Sequence, residues 1–221
     1  MQTSSARDVA FAFYKTAGVM PNFERWVKNT EPYTITPMAK RDKVYARERE
    51  KLRQAFKKFE PENDFLVIRT QARVRLVYPQ NPESEPLILA YDYLKEDDSD
   101  IEYFPFEFAK DNYAVAVNDL DDKKTAELPV KLYEYLKDQI AGASTVTAIL
   151  QLKPIQADIS QPYEYDTLEQ WLMVAEIATV SLWTKTGRLI YEYTAPWYFS
   201  PDSPNIVPLQ QERKNTKEQL N

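Results

Sequence analysis

The sequence predicts an α+β fold: a mainly antiparallel, curved β-sheet with N-terminal helices packed on one face. Three observations predict it. Between Ser5 and Phe59 the apolar residues recur at helical spacing, after Asp64 they recur every second residue, and the later extended runs follow one another across short turns. Helices grouped at the front and strands linked by short loops imply α+β rather than alternating α/β. A chain of 221 residues buries about 70% of its unfolded surface without disulfide or metal. The expected organisation is one α+β domain over 1–200, helical at about 5–60 and sheet-rich at about 65–199, followed by a Pro-rich, polar tail at 201–221.

Ser4 or Ser5 can cap a first helix to about Thr16, with Val9, Phe13 and Thr16 on one face and Gly18 and Pro21 ending it. "NFERWVK" follows as a short helical piece that Pro32 stops. Thr36 as N-cap and Pro37 at the first helical position open a long helix to Phe59. There Met38, Tyr45, Leu52 and Phe59 recur every seven residues, with Phe56 in a second row, so the buried stripe is narrow and the remaining surface charged.

"FLVIRTQARVRLVY" alternates Leu66, Ile68, Ala72, Val74 and Leu76 on one face with Arg69, Gln71, Arg73 and Arg75 on the other, the mark of a half-buried strand. "LILAYDYL" reads as its antiparallel partner. "IEYFPFEF" and "NYAVAVN" pair around "AKD", with Pro105 placing the first at an edge or bulge. "LPVKLYEYLKDQI" carries Leu132, Leu136 and Ile140 at helical spacing before Gly142. Then come the strands "TVTAILQLKPIQADI", "WLMVAEIATVSLW" and "RLIYEYTAPWYF", the last two joined by a "TKTG" hairpin.

Composition closes several routes to function. The chain has no Cys and no His, which removes disulfides, thiolate chemistry, imidazole-activated nucleophiles and histidine-bearing metal sites. Its three isolated glycines form no phosphate-cradling loop. No apolar run reaches the roughly 18 residues of a membrane span. "MQTSSARDVAFAF" lacks the pattern of a signal peptide, while "QTSS" after Met also suits a mature exported chain, so a cytoplasmic or an exported location stays open.

Four groups of residues carry candidate chemistry. Between Thr36 and Phe59 nine basic residues face three acids, inside a chain of net charge -6. Arg47, Arg49 and Arg53 on this helix, with Arg69, Arg73 and Arg75 on the following strand, form an anion site if the two faces are contiguous; otherwise the acidic stretches "KEDDSDIE" and "NDLDD" neutralise them. Asp98, Asp100 and Glu102 alternate as in a calcium loop, but Tyr103 replaces the required Gly and the distant bidentate acid is missing; "NDLDD" fails the same test, so no metal site is implied. Paired carboxylates are the catalytic device that needs neither His nor Cys. Glu107, Glu164, Glu176 and Glu192 lie in aromatic-rich strands, and Glu176 is the catalytic candidate because its face otherwise reads Leu172, Val174, Ala178, Val180 and Leu182, where burial would disfavour its ionised form unless a bulge turns it outward. Trp197, Tyr198 and Phe199 are candidates for an aromatic surface, with Tyr191 and Tyr193 fitting a core pair.

The expected function is that of a non-enzymatic, bacterial-type accessory or binding protein acting by surface recognition. The alternatives are a carboxylate-dependent carbohydrate-active enzyme and an anion or nucleic-acid binder through residues 37–59. The implied partner is another protein or an anionic ligand in preference to nucleic acid, no cofactor is implied, and the oligomeric state is open. Leu52→Asp is expected to lower stability by about 3 kcal/mol, read by urea unfolding, because it puts an unpaired charge into the helix stripe. An unchanged unfolding midpoint would show that this stripe is not core.

Overall fold

The computed structural model describes residues 2–81, 85–94, 103–118, 120, 124–140, 144–165 and 167–198. The expected tail, Phe199 and the acidic positions 95–102, 119 and 121–122 lie outside the described residues.

Helix α1, Ala6–Thr16, starts at a capping box: Ser5 Oγ accepts from Asp8 N, and Asp8 Oδ2 accepts from Ser5 N at 2.9 Å. Ser4 has another task, because it exchanges hydrogen bonds with Val67 and pins the N-terminus to the first strand. α1 was expected to bury one face, yet Val9 to Phe13 are all buried. A helix buried all round must be a middle layer. Phe11 meets Trp26, Phe56 and Phe59 on one side, and Phe13 meets Tyr113 and Trp171 on the other.

The outer helical layer comprises α2, Phe23–Asn29, capped by Asn22, then α3, Glu31–Thr34, a single 3-10 turn at Met38–Lys40, and α4, Arg41–Lys58. The expected start at Thr36 is corrected. The Thr36 hydroxyl donates to Pro32 O at 2.6 Å, so it closes the preceding turn, and α4 begins at Arg41 without a side-chain cap. Leu52 and Phe56 are buried and Tyr45 and Phe59 pack beside them, whereas Met38, outside the helix, is exposed.

The strands are β1 Leu66–Val77, β2 Leu87–Leu94, β3 Tyr103–Phe108, β4 Asp111–Val117, β5 Thr125–Leu128, β6 Ser144–Ala157, β7 Tyr163–Tyr165, β8 Leu168–Trp183 and β9 Leu189–Thr194, with α5 at Val130–Gln139. Their order is β3-β4-β8-β6-β1-β2-β5, and β7 and β9 both pair with β8. The α+β class holds, but the sheet is mixed, because β4 runs parallel to β8. The reason is that each strand's direction is already set elsewhere: β4 by its hairpin with β3, and β8 by its antiparallel pairing with β6 and β9. Pro105 sits on β3, an end strand in this order, where its missing N–H is tolerated. The short β5 and β7 are not marked by any pattern read from the sequence.

The sheet curls. Tyr91 on β2 and Tyr191 on β9 have ring centroids 5.9 Å apart although β1, β6 and β8 lie between them. A flat sheet would hold those strands about 19 Å apart. Tyr91, Tyr93, Tyr191 and Tyr193 line the inside of this curl, α1 packs against β6, β3, β1 and β8, and α5 packs against β2 with Tyr133 and Leu136 in the same core. Burial pushes the Tyr91 and Tyr93 hydroxyls well above their ordinary pKa and Tyr191 up to about 12.

Two predictions arise here. Ala109 and Lys110 form the two-residue β3–β4 turn, with φ of 52° and 65° in the left-handed region that costs a side chain energy. Lys110→Gly should therefore raise stability by about 1 kcal/mol in urea unfolding. A tyrosine whose folded pKa lies above its unfolded value of about 10 contributes stability that is intact below that pH and lost as pH rises through the folded value. Stability should hold to about pH 9 and fall from about pH 10 to 12, less steeply in Tyr191→Phe, with phenolate absorbance appearing as the fold is lost.

Candidate recognition surfaces

Helical geometry arranges the cations of α4. Its buried stripe is set by Leu52 and Phe56, so spacings of three and four residues place Lys43, Arg47, Lys51 and Lys58 on the opposite side, with Gln54 and Glu50 among them, the Gln54 amide donating to Glu50 at 2.6 Å, and Lys40 just before. These positions are exposed. Arg49 and Arg53 are exposed on one flank of this row. Glu48 accepts from Arg47 at 2.8 Å and from Lys51 at 3.1 Å. Desolvation raises the Glu48 carboxyl, but those two hydrogen bonds outweigh it and hold the group below the ordinary carboxylate range. Among the described residues no carboxylate pairs with Lys40, Lys43, Arg49, Arg53, Lys57 or Lys58.

Arg69, Arg73 and Arg75 lie elsewhere. They project from β1 on the outer face of the sheet, whereas α4 sits above α1 on the inner side, so the sheet separates the two basic groups. Arg75 makes an ion pair with Asp92 at 3.7 Å, and Arg73 stands directly across β2 from the same aspartate.

Glu176 is turned outward by a β-bulge. Gln151 pairs with Thr179 and Leu152 with Ile177, leaving Ala178 as the extra residue of β8. The inner face therefore switches from Val180 and Leu182 to Ile177, Ala175 and Met173, and Glu176 joins half-buried Val174 and Leu172 on the outer face. Glu176 stands opposite Lys153 of β6. Glu107, Glu164 and Glu192 are exposed on three different strands. Among the described residues no cluster of three or more Asp or Glu side chains is placed to hold a metal ion.

The same bulge organises an aromatic cluster. Ala178 O accepts from Ala195 N at 2.8 Å, and Ala195 O accepts from Tyr198 N at 2.9 Å, so the chain after β9 folds back over the outer face. Trp197 and Tyr198 then meet Phe65, the residue before β1, at centroid distances of 6.2 and 5.1 Å. The Lys153 ammonium lies 5.8 Å from the centre of the Trp197 ring and 3.0 Å from Glu62 Oε2. Trp197 remains 43% exposed. On the other side of Phe65 a groove of about 340 Å³ runs between the start of α1 and the end of α4, lined by Arg7, Phe11, Lys58 and Phe59 among others.

The structure thus gathers Glu176, Trp197 and Tyr198 into one neighbourhood and keeps the helix arginines apart from the strand arginines. The sequence reading missed Lys153, Glu62 and Phe65, which no spacing connects. It also missed the row through Lys43, Lys51 and Lys58, which the repeat of three and four could have revealed. No protein-family model, no curated protein and no solved structure matches this chain. No helix among the described residues is long and apolar enough to cross a membrane.

Proposed function

We propose that the protein is a non-enzymatic binding protein that works by surface recognition, holding an acidic segment of a partner protein along the outward row of α4. The observation that carries this reading is the outward cationic row Lys40, Lys43, Arg47, Lys51 and Lys58, in which, among the described residues, Glu48 pairs with Arg47 and Lys51 and the Glu50 carboxylate on the same side is held by Gln54 at 2.6 Å, leaving the cations in excess. A helix of 18 residues offers about 27 Å of such surface, the length of an extended peptide of about eight residues. The row needs no conformational change to engage a partner, and attraction between exposed charges is strong only at modest ionic strength.

The overall charge supports a protein partner over nucleic acid. With the chain at -6, a long polyanion is attracted by α4 and repelled by much of the remaining surface, whereas a short acidic segment meets the row alone.

The experiment is retention of the protein on an immobilised peptide of about eight glutamates and on single-stranded DNA from about 25 to 300 mM salt. Retention on the peptide should be lost by about 150 mM and should be absent in the Lys43→Glu, Arg47→Glu, Lys51→Glu variant, with circular dichroism checking that its fold is kept. Tighter retention on DNA would move the reading to nucleic acid, and no retention on either matrix at the lowest salt would overturn it.

A further inference from the structure

We infer a second, independent site at Trp197, on the outer face of the sheet, that binds a neutral carbohydrate chain. The half-open indole is held rigidly. Phe65 and Tyr198 meet it edge-on, with interplanar angles of 77° and 69°, and the segment carrying it is tied by its backbone to the bulge at Ala178. An aromatic ring fixed in this way offers stacking area with little side-chain entropy to lose on binding.

The groups around the ring select the ligand class. Lys153 provides ammonium donors and Glu62, 79% exposed at its side chain, provides carboxylate acceptors, the two groups 3.0 Å apart. A purely apolar partner would strip water from both charged groups without replacing their hydrogen bonds. A polyanion would meet an ammonium already paired with a carboxylate. A nucleobase stacks on such a ring but brings phosphates to that carboxylate. A sugar satisfies every condition: its C–H face covers the indole, its hydroxyls donate to Glu62 and accept from Lys153, and it carries no charge. The anchoring residues come from the turn between α4 and β1, from β6, from the bulge of β8 and from the segment after β9, so the site is a product of the folded sheet and shares no residue with the cationic row.

The test is calorimetric titration of the full chain with three neutral hexasaccharides: β-1,4-linked glucose, α-1,4-linked glucose and β-1,4-linked N-acetylglucosamine, each to about 5 mM. Saturable binding of at least one is expected. Trp197→Ala should weaken it about tenfold or more, Trp197→Phe less, and Glu62→Gln about threefold. Because Glu62 is exposed, its variant reads the site without disturbing the fold, and thermal unfolding checks both Trp197 variants. The Lys43→Glu, Arg47→Glu, Lys51→Glu variant should bind the sugar normally, which separates this site from the α4 surface. No binding of any hexasaccharide overturns the inference, as does binding that Trp197→Ala and Glu62→Gln leave unchanged.

Discussion

Phe11 and Phe13 stand two residues apart on α1 and point into different layers, one against α2 and α4, the other against β4 and β8. Two residues are about 200° of helical turn, so a single short helix can join two layers only if both of its sides are apolar. The run Val9 to Phe13 meets that requirement, and each fully buried aromatic there contributes on the order of 2 kcal/mol in area terms. The rest follows from this placement. The sheet must curl around α1 and the tyrosines, and α4 must lie outside α1, away from the sheet. A narrow stripe of Leu52 and Phe56 is then enough to hold α4, and its remaining surface is free to be cationic.

The extra residue at Ala178 has consequences at both ends of β8. It reverses which residues face the core, so a carboxylate that alternation alone would bury is set on the outer face opposite a lysine. Its carbonyl also receives the chain returning from β9, which fixes Trp197 beside that lysine. One local irregularity thus decides the environment of Glu176 and the position of the aromatic cluster together, in keeping with the tendency of bulges to re-aim side chains near sites.

Charge is distributed by layer. The cations of α4 and the arginines of β1 are close in sequence but lie on opposite sides of the sheet, and they meet different partners. On β1, Arg75 is paired with Asp92 through the ordinary cross-strand geometry of antiparallel neighbours. On α4 the row faces outward, with Arg47 and Lys51 paired to Glu48. The two groups are therefore separate surfaces on opposite sides of the sheet.

By itself the sequence determined what depends on local periodicity and turn chemistry. The strand alternation of β1, the Gly187 hairpin between β8 and β9, the Ser5 start of α1 and the Leu52–Phe56 stripe of α4 all rest on contacts within a few residues or one hairpin. Tertiary structure alone decided the parallel meeting of β4 with β8, the all-round burial of α1 and the outward turn of Glu176, whereas the shortened start of α4 follows from a local bond, Thr36 to Pro32 four residues back, that the Thr-Pro pattern did not reveal. Each of the first three is set by a partner distant in the chain: β8 for β4, the sheet and α4 for α1, and β6 for the bulge. Period-two patterning assigns a face only while the register is unbroken, and one inserted residue inverts every assignment on one side of it. The cationic row was accordingly legible in outline from the sequence, while the gathering of Glu62, Lys153, Glu176 and Trp197 existed only once the sheet had closed.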